Sequence, residues 1–310
     1  MTAMSHPKVV VAEPIADAAI EKLRVSCDVE VLVGASRDEL MAGLDDAAGL
    51  VVRSATRVDE AMIAAAPMLE VIGRAGVGLD NIDLVTAAAR GIVVVNAPDA
   101  STISAAEYTM ALLLAQARRI PEADASLRAG RWERKNLQGV ELYGKTLGVV
   151  GLGKIGEQVA QRAQAFGMRV IAFDPIVSAE HAEAVGVELV GLADVLAEAN
   201  FLTIHAPRTV ETEGLIDSAA LAQMKPTARI VNVARGGIVD EAALAAAISA
   251  GTIAGAAIDV YAVEPTTESP LFGLSQVVVT PHLGASTDEA QHRAGTSVVE
   301  AVIAALDRGR

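Results

Sequence analysis

Three apolar runs of this chain end in side chains able to do chemistry. "IVNVARGG" places Arg235 behind one run, "AAIDVYAVEP" places Asp259 and Glu264 behind a second, and "VVTPHLGA" places His282 behind a third. An imidazole braced by a carboxylate can move a proton, because the acid orients the ring and stabilises its charged form. A guanidinium can hold a carboxylate through two parallel hydrogen bonds. Taken one at a time these residues also have plain readings: a surface ion pair for Arg235, a loop acid for Glu264, a packed ring for His282. Taken together they suit the interconversion of a hydroxyl and a carbonyl on a small carboxylate-bearing molecule.

That chemistry needs a hydride carrier, and the sequence offers a place for one. "TLGVVGLGKIGEQVAQRAQAFGMRVIAFD" contains Gly151, Gly153 and Gly156 in the pattern G-x-G-x-x-G. An apolar strand precedes it, a helical pattern follows, and a second strand ends in Asp174, 18 residues after Gly156. This context fits a dinucleotide fingerprint. Gly151 permits a tight turn, Gly153 lets the backbone approach a pyrophosphate, and Gly156 lets the helix pack against the strand. The helix start favours phosphate charge through its free N–H groups and its dipole. Asp174 would accept hydrogen bonds from the adenosine ribose and repel a 2′-phosphate, so the expected cofactor is NAD rather than NADP.

The elements that must position these groups are legible as well. Runs such as "KVVVAE", "VEVLVG", "GLVVRS", "VIGRAG" and "IVVVNAP" alternate with alanine-rich segments up to about Pro98. Continuous apolar strands between helices predict a parallel sheet covered on both faces. A long segment from Ser101 reads as a helix to about Ile120, buried between domains or subunits, with Pro121 opening the next helical turn. Six further strand-like runs follow, enough for a doubly wound sheet. The last stretch reads as a helix with a Ser/Thr cap, an early Asp-Glu pair and a closing Gly309. In open sheets of this kind ligands bind beyond the carboxyl ends of the strands. His205 in "LTIHAP", Arg53 in "VVRSAT" and Arg74 in "VIGRAG" occupy such ends too.

Bulk composition narrows the function. Hydrophobic residues make up 52% of the chain and aromatics only 3%, so the core is aliphatic and suits α/β packing. The length suits two domains. A net charge of −14 and the lack of a basic face argue against nucleic acid. The single cysteine, Cys27, fits a reducing, cytoplasmic setting and excludes a cysteine metal site; no metal is expected. No signal peptide and no membrane span is expected. Trp132 is expected to pack.

The runs "VVRSAT", "GRAGVGLDNID", "VVNAPDASTISAAE", "WERK", "GKTLGVVGLGKIG", "FDP", "NVARGGIVDE", "DVYAVEP" and "PHLGAST" resemble the D-isomer-specific 2-hydroxyacid dehydrogenases. The resemblance extends from about residue 50 to 292. It implies a central Rossmann-type NAD domain, residues 98–285, and a flavodoxin-like α/β substrate domain from residues 1–97 and 286–310. It also implies a homodimer built largely on the NAD domains. Catalysis is assigned to Arg235, Glu264 and His282. Cofactor contacts are implied for Val77, for Lys154 and Ile155 beside the glycines, and for Pro175 beside Asp174. The same holds for His205, Ala206 and Pro207, for Val233, Ala234 and Arg235, for Asp259 at the nicotinamide carboxamide, and for His282, Gly284 and Ala285. A small phosphorylated 2-hydroxy or 2-oxo acid would meet Arg53, Ser54, Arg74, Gly76 and Asn96, with Arg134 reaching in from a neighbouring subunit. Two other readings share the fold: a glyoxylate or hydroxypyruvate reductase, and an NAD-sensing scaffold of the corepressor type. Larger family members continue into regulatory domains that bind serine; this chain ends at "ALDRGR", so control through such a domain is not expected.

Overall fold

The computed structural model describes residues 6–308, and the chain forms two compact units. One comprises the chain up to Ser101 and again from Ala285, and the other runs Thr102–Gly284. The first five residues, Gly309 and Arg310 lie outside the described residues, and the expected closing Gly309 with them.

The first unit alternates strand and helix: β1 (Lys8–Val11), α1 (Asp17–Arg24), β2 (Asp28–Val31), α2 (Arg37–Gly43), β3 (Gly49–Val52), α3 (Glu60–Ala64), β4 (Val71–Arg74), α4 (Leu84–Ala89) and β5 (Val93–Asn96). All pairings are parallel and the order is β2-β1-β3-β4-β5, the flavodoxin-like arrangement. Successive side chains point to opposite faces, which is why continuous apolar runs are needed. Val10, Leu50, Val52 and Ile72 join one core layer with Met62 and Ile63. Val9, Val11, Val51 and Val71 join the other with Leu23, Val298 and Val302. The last two belong to the long terminal helix, Asp288–Arg308, which covers that second face. Helix starts are marked by side-chain caps: a reciprocal Ser36–Glu39 box at α2, Asp59 at α3 and Asp83 at α4. Cys27 is buried in the second layer.

The second unit begins with α5 (Thr102–Ala117) and α6 (Ile120–Arg128), followed by a 3-10 turn at Arg134–Asn136. It continues with β6 (Thr146–Val150), α7 (Lys154–Ala165), β7 (Arg169–Phe173), α8 (Ala179–Ala184), β8 (Glu188–Leu189), α9 (Leu192–Glu198), β9 (Phe201–Ile204), α10 (Ser218–Ala222), β10 (Arg229–Asn232), α11 (Glu241–Ser249), β11 (Gly255–Ile258) and β12 (Val277–Val279). The sheet is parallel, in the order β12-β11-β10-β9-β6-β7-β8. Chain direction across it reverses between β6 and β9, the doubly wound switch point.

Three expectations need correction. The sheet has seven strands rather than six, because β8 pairs through only two residues at the edge. The long helix stops at Ala117, and Arg119 takes a left-handed backbone (φ 53°) before α6 starts, with Pro121 in its first turn. Ala106, Met110 and Leu113 of α5 share a core with Leu147 and Val159. Trp132 does not pack: it is 81% exposed, on the irregular segment after α6, as is Tyr143 at 78%. No helix among the described residues is long and apolar enough to cross a membrane.

Candidate active site

The glycine loop joins β6 to α7 at the switch point. Gly151 has φ +93°, and a Cβ there would meet the His205 carbonyl and the Ala206 nitrogen within 2.9 Å. A Cβ on Gly156 would lie 2.2 Å from the Gly151 oxygen, so the first turn of α7 seats on the loop only as glycine. Gly153 differs: it is exposed, and a Cβ there would meet nothing within 4 Å. It also caps α7 without a side-chain acceptor. An open cradle over uncapped helix N–H groups fits a pyrophosphate. Lys154 and Ile155 form the turn beside it.

Asp174 lies immediately after β7 and binds the loop itself. Its Oδ2 accepts from the Leu152 amide (2.8 Å), and its Oδ1 accepts from the amides of Ile176 (2.8 Å) and Val177 (3.0 Å). Burial acts to raise its carboxyl, but these three amides outweigh it and hold the group below the usual carboxylate range. Asp174 therefore stays ionised and anchors the glycine turn. Pro175 follows it. His205 follows β9, with its Nε2 3.0 Å from the Thr203 hydroxyl. Burial pushes its pKa down to about 4, so the ring is neutral at pH 7. Ala206 and Pro207 continue that loop.

The proposed proton and carboxylate groups stand on the three neighbouring strands at the far side of the switch point. Arg235 lies after β10, where buried Asn232 sets the turn: its Oδ1 accepts from the Ala234 amide (3.0 Å) and its Nδ2 donates to the Arg235 carbonyl (3.0 Å). Val233 and Ala234 are the intervening residues. Asp259 and Glu264 lie after β11, and His282 after β12. Glu264 Oε2 is 2.6 Å from His282 Nδ1, and Glu264 Oε1 accepts from the Tyr261 amide at 2.8 Å. Burial tends to raise the Glu264 carboxyl. The hydrogen bonds from His282 and Tyr261, with the charges of His282 and Arg235, prevail and lower it. An ionised carboxylate only accepts, so Nδ1 carries the proton and Nε2 is left for a reacting group.

His282 has φ +56°, a region that non-glycine residues rarely enter. Asp259 holds it there. The His282 amide donates to the Asp259 carbonyl (2.8 Å), and the Asp259 carboxylate accepts from Leu283 N (2.8 Å), Gly284 N (2.9 Å) and Thr280 Oγ1 (2.7 Å). Such strain costs on the order of 1–3 kcal/mol and persists where surrounding contacts over-determine it, typically at active sites. Asp259 is fully buried; burial raises its carboxyl and the loop's hydrogen bonds partly offset this. The structure thus places Asp259 beneath the histidine loop, with both carboxylate oxygens engaged there. Asn232 and Thr280 were not singled out in the sequence, because one polar residue at a strand end carries no periodic signal.

The pair carries a prediction. Glu264→Gln removes the ionised acceptor that fixes Nδ1 as the protonated nitrogen, so kcat for carbonyl reduction falls. An unchanged kcat for reduction would refute the pairing.

In the first unit Arg53 follows β3, Arg74 ends β4 and Asn96 ends β5; the register pairs Val52 with Arg74 and Arg74 with Asn96. Asn96 Nδ2 donates to the Val77 carbonyl (2.6 Å), and Arg74 folds over Gly76, where a Cβ would strike its Nη1. Ser54 is exposed beside Arg53. Val77 and Ala285 also belong to this unit. Arg134 stands on the 3-10 turn of the second unit.

A parallel sheet with this reversal and a glycine cradle at the switch point form a dinucleotide-binding arrangement, with an acid–histidine pair at neighbouring strand ends. The model of the D-isomer specific 2-hydroxyacid dehydrogenase NAD binding domain matches residues 110–284, and the chain belongs to that family. D-3-phosphoglycerate dehydrogenase of Mycobacterium bovis is 55% identical over 98% of this chain, and the chain spans 57% of that relative's length. A solved protein of Thermus thermophilus superposes with a TM-score of 0.89 at 37% identity, covering 98% of this chain and 97% of its own. A glyoxylate reductase from Paecilomyes thermophila reaches 0.89 at 28% identity, covering 99% and 97%. The nucleotide of the second unit is therefore NAD.

Proposed function

We propose that the chain catalyses NAD-dependent oxidation of D-3-phosphoglycerate to 3-phosphohydroxypyruvate, the entry step of phosphorylated serine biosynthesis, and its reversal. The observation that carries the chemistry is the 2.6 Å contact between Glu264 and His282. His282 Nε2 takes the proton of the C2 hydroxyl in oxidation, and the imidazolium returns it to the C2 oxygen in reduction. Glu264 holds Nδ1 and stabilises the positive ring. Arg235 binds the substrate carboxylate and polarises the C2 oxygen. The Gly151–Gly156 turn and Asp174 would hold NAD, which would supply the hydride acceptor for C2. Arg53 and Arg74, on adjacent strand ends of the first unit, supply charge for the phosphate, with the Ser54 hydroxyl and amide beside them.

We infer a homodimer as well. Trp132 and Tyr143 are exposed on the segment that holds Arg134, and a second copy would cover such apolar surface. Arg134 would then serve the partner's site; a monomer in sedimentation would remove this part. The buried lone Cys27 suits a cytoplasmic setting.

A substrate panel read at the NADH absorbance band tests the main reading. With 3-phosphohydroxypyruvate, kcat/KM exceeds that for hydroxypyruvate, glyoxylate and 2-oxoglutarate by about 10²-fold or more, because a site built for phosphate is left unpaired by substrates lacking it. Equal or better turnover of hydroxypyruvate or glyoxylate would assign the chain to the reductases instead. Nucleotide binding with negligible turnover of every acid would favour a sensing scaffold.

A further inference from the structure

Glu13 follows β1 in the first unit, where the register that pairs Val11 with Val51 brings it level with Arg53. Its carboxylate is wrapped by the loop behind β3. Oε1 accepts from the amides of Arg53 (2.8 Å) and Thr56 (2.8 Å), and Oε2 from the amide of Ala55 (3.1 Å). From the other side, Asn81 Nδ2 donates to the carbonyls of Arg53 (2.9 Å) and Thr56 (2.7 Å). Arg53 Nη1 also donates to the Pro14 carbonyl at 3.3 Å. The four-residue loop is thus held at both ends by two side chains from elsewhere in the chain.

Three of the loop's four amides turn inward onto Glu13. The fourth, that of Ser54, makes no hydrogen bond among the described residues, and neither does the Ser54 hydroxyl; the residue is exposed. An acid so close to a phosphate site would ordinarily repel the ligand. Here three N–H dipoles offset its charge, and burial, which would favour the neutral form, is outweighed by these bonds. The same bonds leave the Ser54 N–H and hydroxyl unengaged, next in the chain to Arg53, whose Nη1 donates to the Pro14 carbonyl.

We propose that Glu13 is a positioning residue for substrate selection: with Asn81 it presets the Arg53–Thr56 loop so that the Ser54 amide and hydroxyl and the Arg53 side chain face the substrate phosphate. This rests on the functional reading above. Glu13 does not touch the reacting atoms; it acts through the loop.

The test is a steady-state comparison of wild type, Glu13→Gln and Asn81→Ala with 3-phosphohydroxypyruvate and with hydroxypyruvate. Glutamine keeps the shape but turns an NH₂ group toward amide donors, so at least one loop bond is lost. The expected result in both variants is a KM for the phosphorylated substrate raised about tenfold, with kcat and the KM for NADH near wild type, as follows from losing a binding interaction common to ground and transition states. The kcat/KM for hydroxypyruvate stays unchanged, so the preference between the two acids shrinks by the same factor. An equal loss for both acids would show a merely structural role and overturn the inference, as would an unaltered preference in both variants. Should one variant fail to fold, the other decides. Failure of the functional reading looks different: wild type itself would then show no preference for the phosphorylated acid, and this inference would fall with it.

Discussion

Replacing His282 stops turnover while leaving the nucleotide site intact. The expected loss in kcat is about 10²–10⁴-fold, the range for a positioned acid–base group. His282→Ala makes the point, but His282→Asn makes it more cleanly. The backbone at 282 is left-handed, and asparagine tolerates that conformation better than alanine. The amide bond to the Asp259 carbonyl and the two bonds from residues 283 and 284 to the Asp259 carboxylate involve main-chain donors only, so they survive either change. NADH binding, followed by fluorescence, should therefore remain near wild type while turnover of the 2-oxo acid collapses. Near-normal kcat in the asparagine variant would mean that another group carries the proton, and that the Glu264–His282 contact serves only to hold the loop.

What the sequence disclosed and what it withheld divide along physical lines. Strands buried on both faces announce themselves by unbroken apolar runs, and β1, β3 and β4, the inner strands of the first unit, coincide with such runs. The glycine turn was legible because its spacing, its strand before and its acid after all derive from local geometry. β8 was missed because a two-residue edge strand, Glu188–Leu189, buries too little to need a pattern. Trp132 was misjudged because aromatic residues usually pack, and a single chain's sequence does not say whether the packing partner is itself or a copy. Glu13, Asn81 and Thr280 were silent for another reason. Each acts by hydrogen-bonding the backbone or carboxylate of a neighbouring strand end, and for Glu13 the partners lie some forty residues away in sequence. Only the strand order brings such pairs together. For Asp259 the sequence offered a role at the nicotinamide carboxamide but no sign that its oxygens also accept from the loop that carries His282.

Arg235 is the second position where a single change should be severe. Its main chain is set by Asn232, one Nη donates to the Ala234 carbonyl (2.7 Å), and its charge contributes to keeping Glu264 ionised. Arg235→Gln therefore removes a carboxylate clamp and a donor at the C2 oxygen, where negative charge develops as the carbonyl is reduced. Loss of one such donor costs about 10²–10³-fold in kcat, and loss of the clamp raises the substrate KM in addition. Arg235→Lys restores the charge but not the planar fork, so it should recover part of kcat and little of KM. That split separates the two roles. A variant whose kcat alone falls would place Arg235 at the C2 oxygen without a part in holding the carboxylate. One whose KM alone rises would make it a binding residue that does not sense the transition state. If Arg235→Gln kept kcat/KM within tenfold of wild type, the substrate carboxylate would have to be held elsewhere, and the orientation of substrate toward His282 Nε2 would lose its basis.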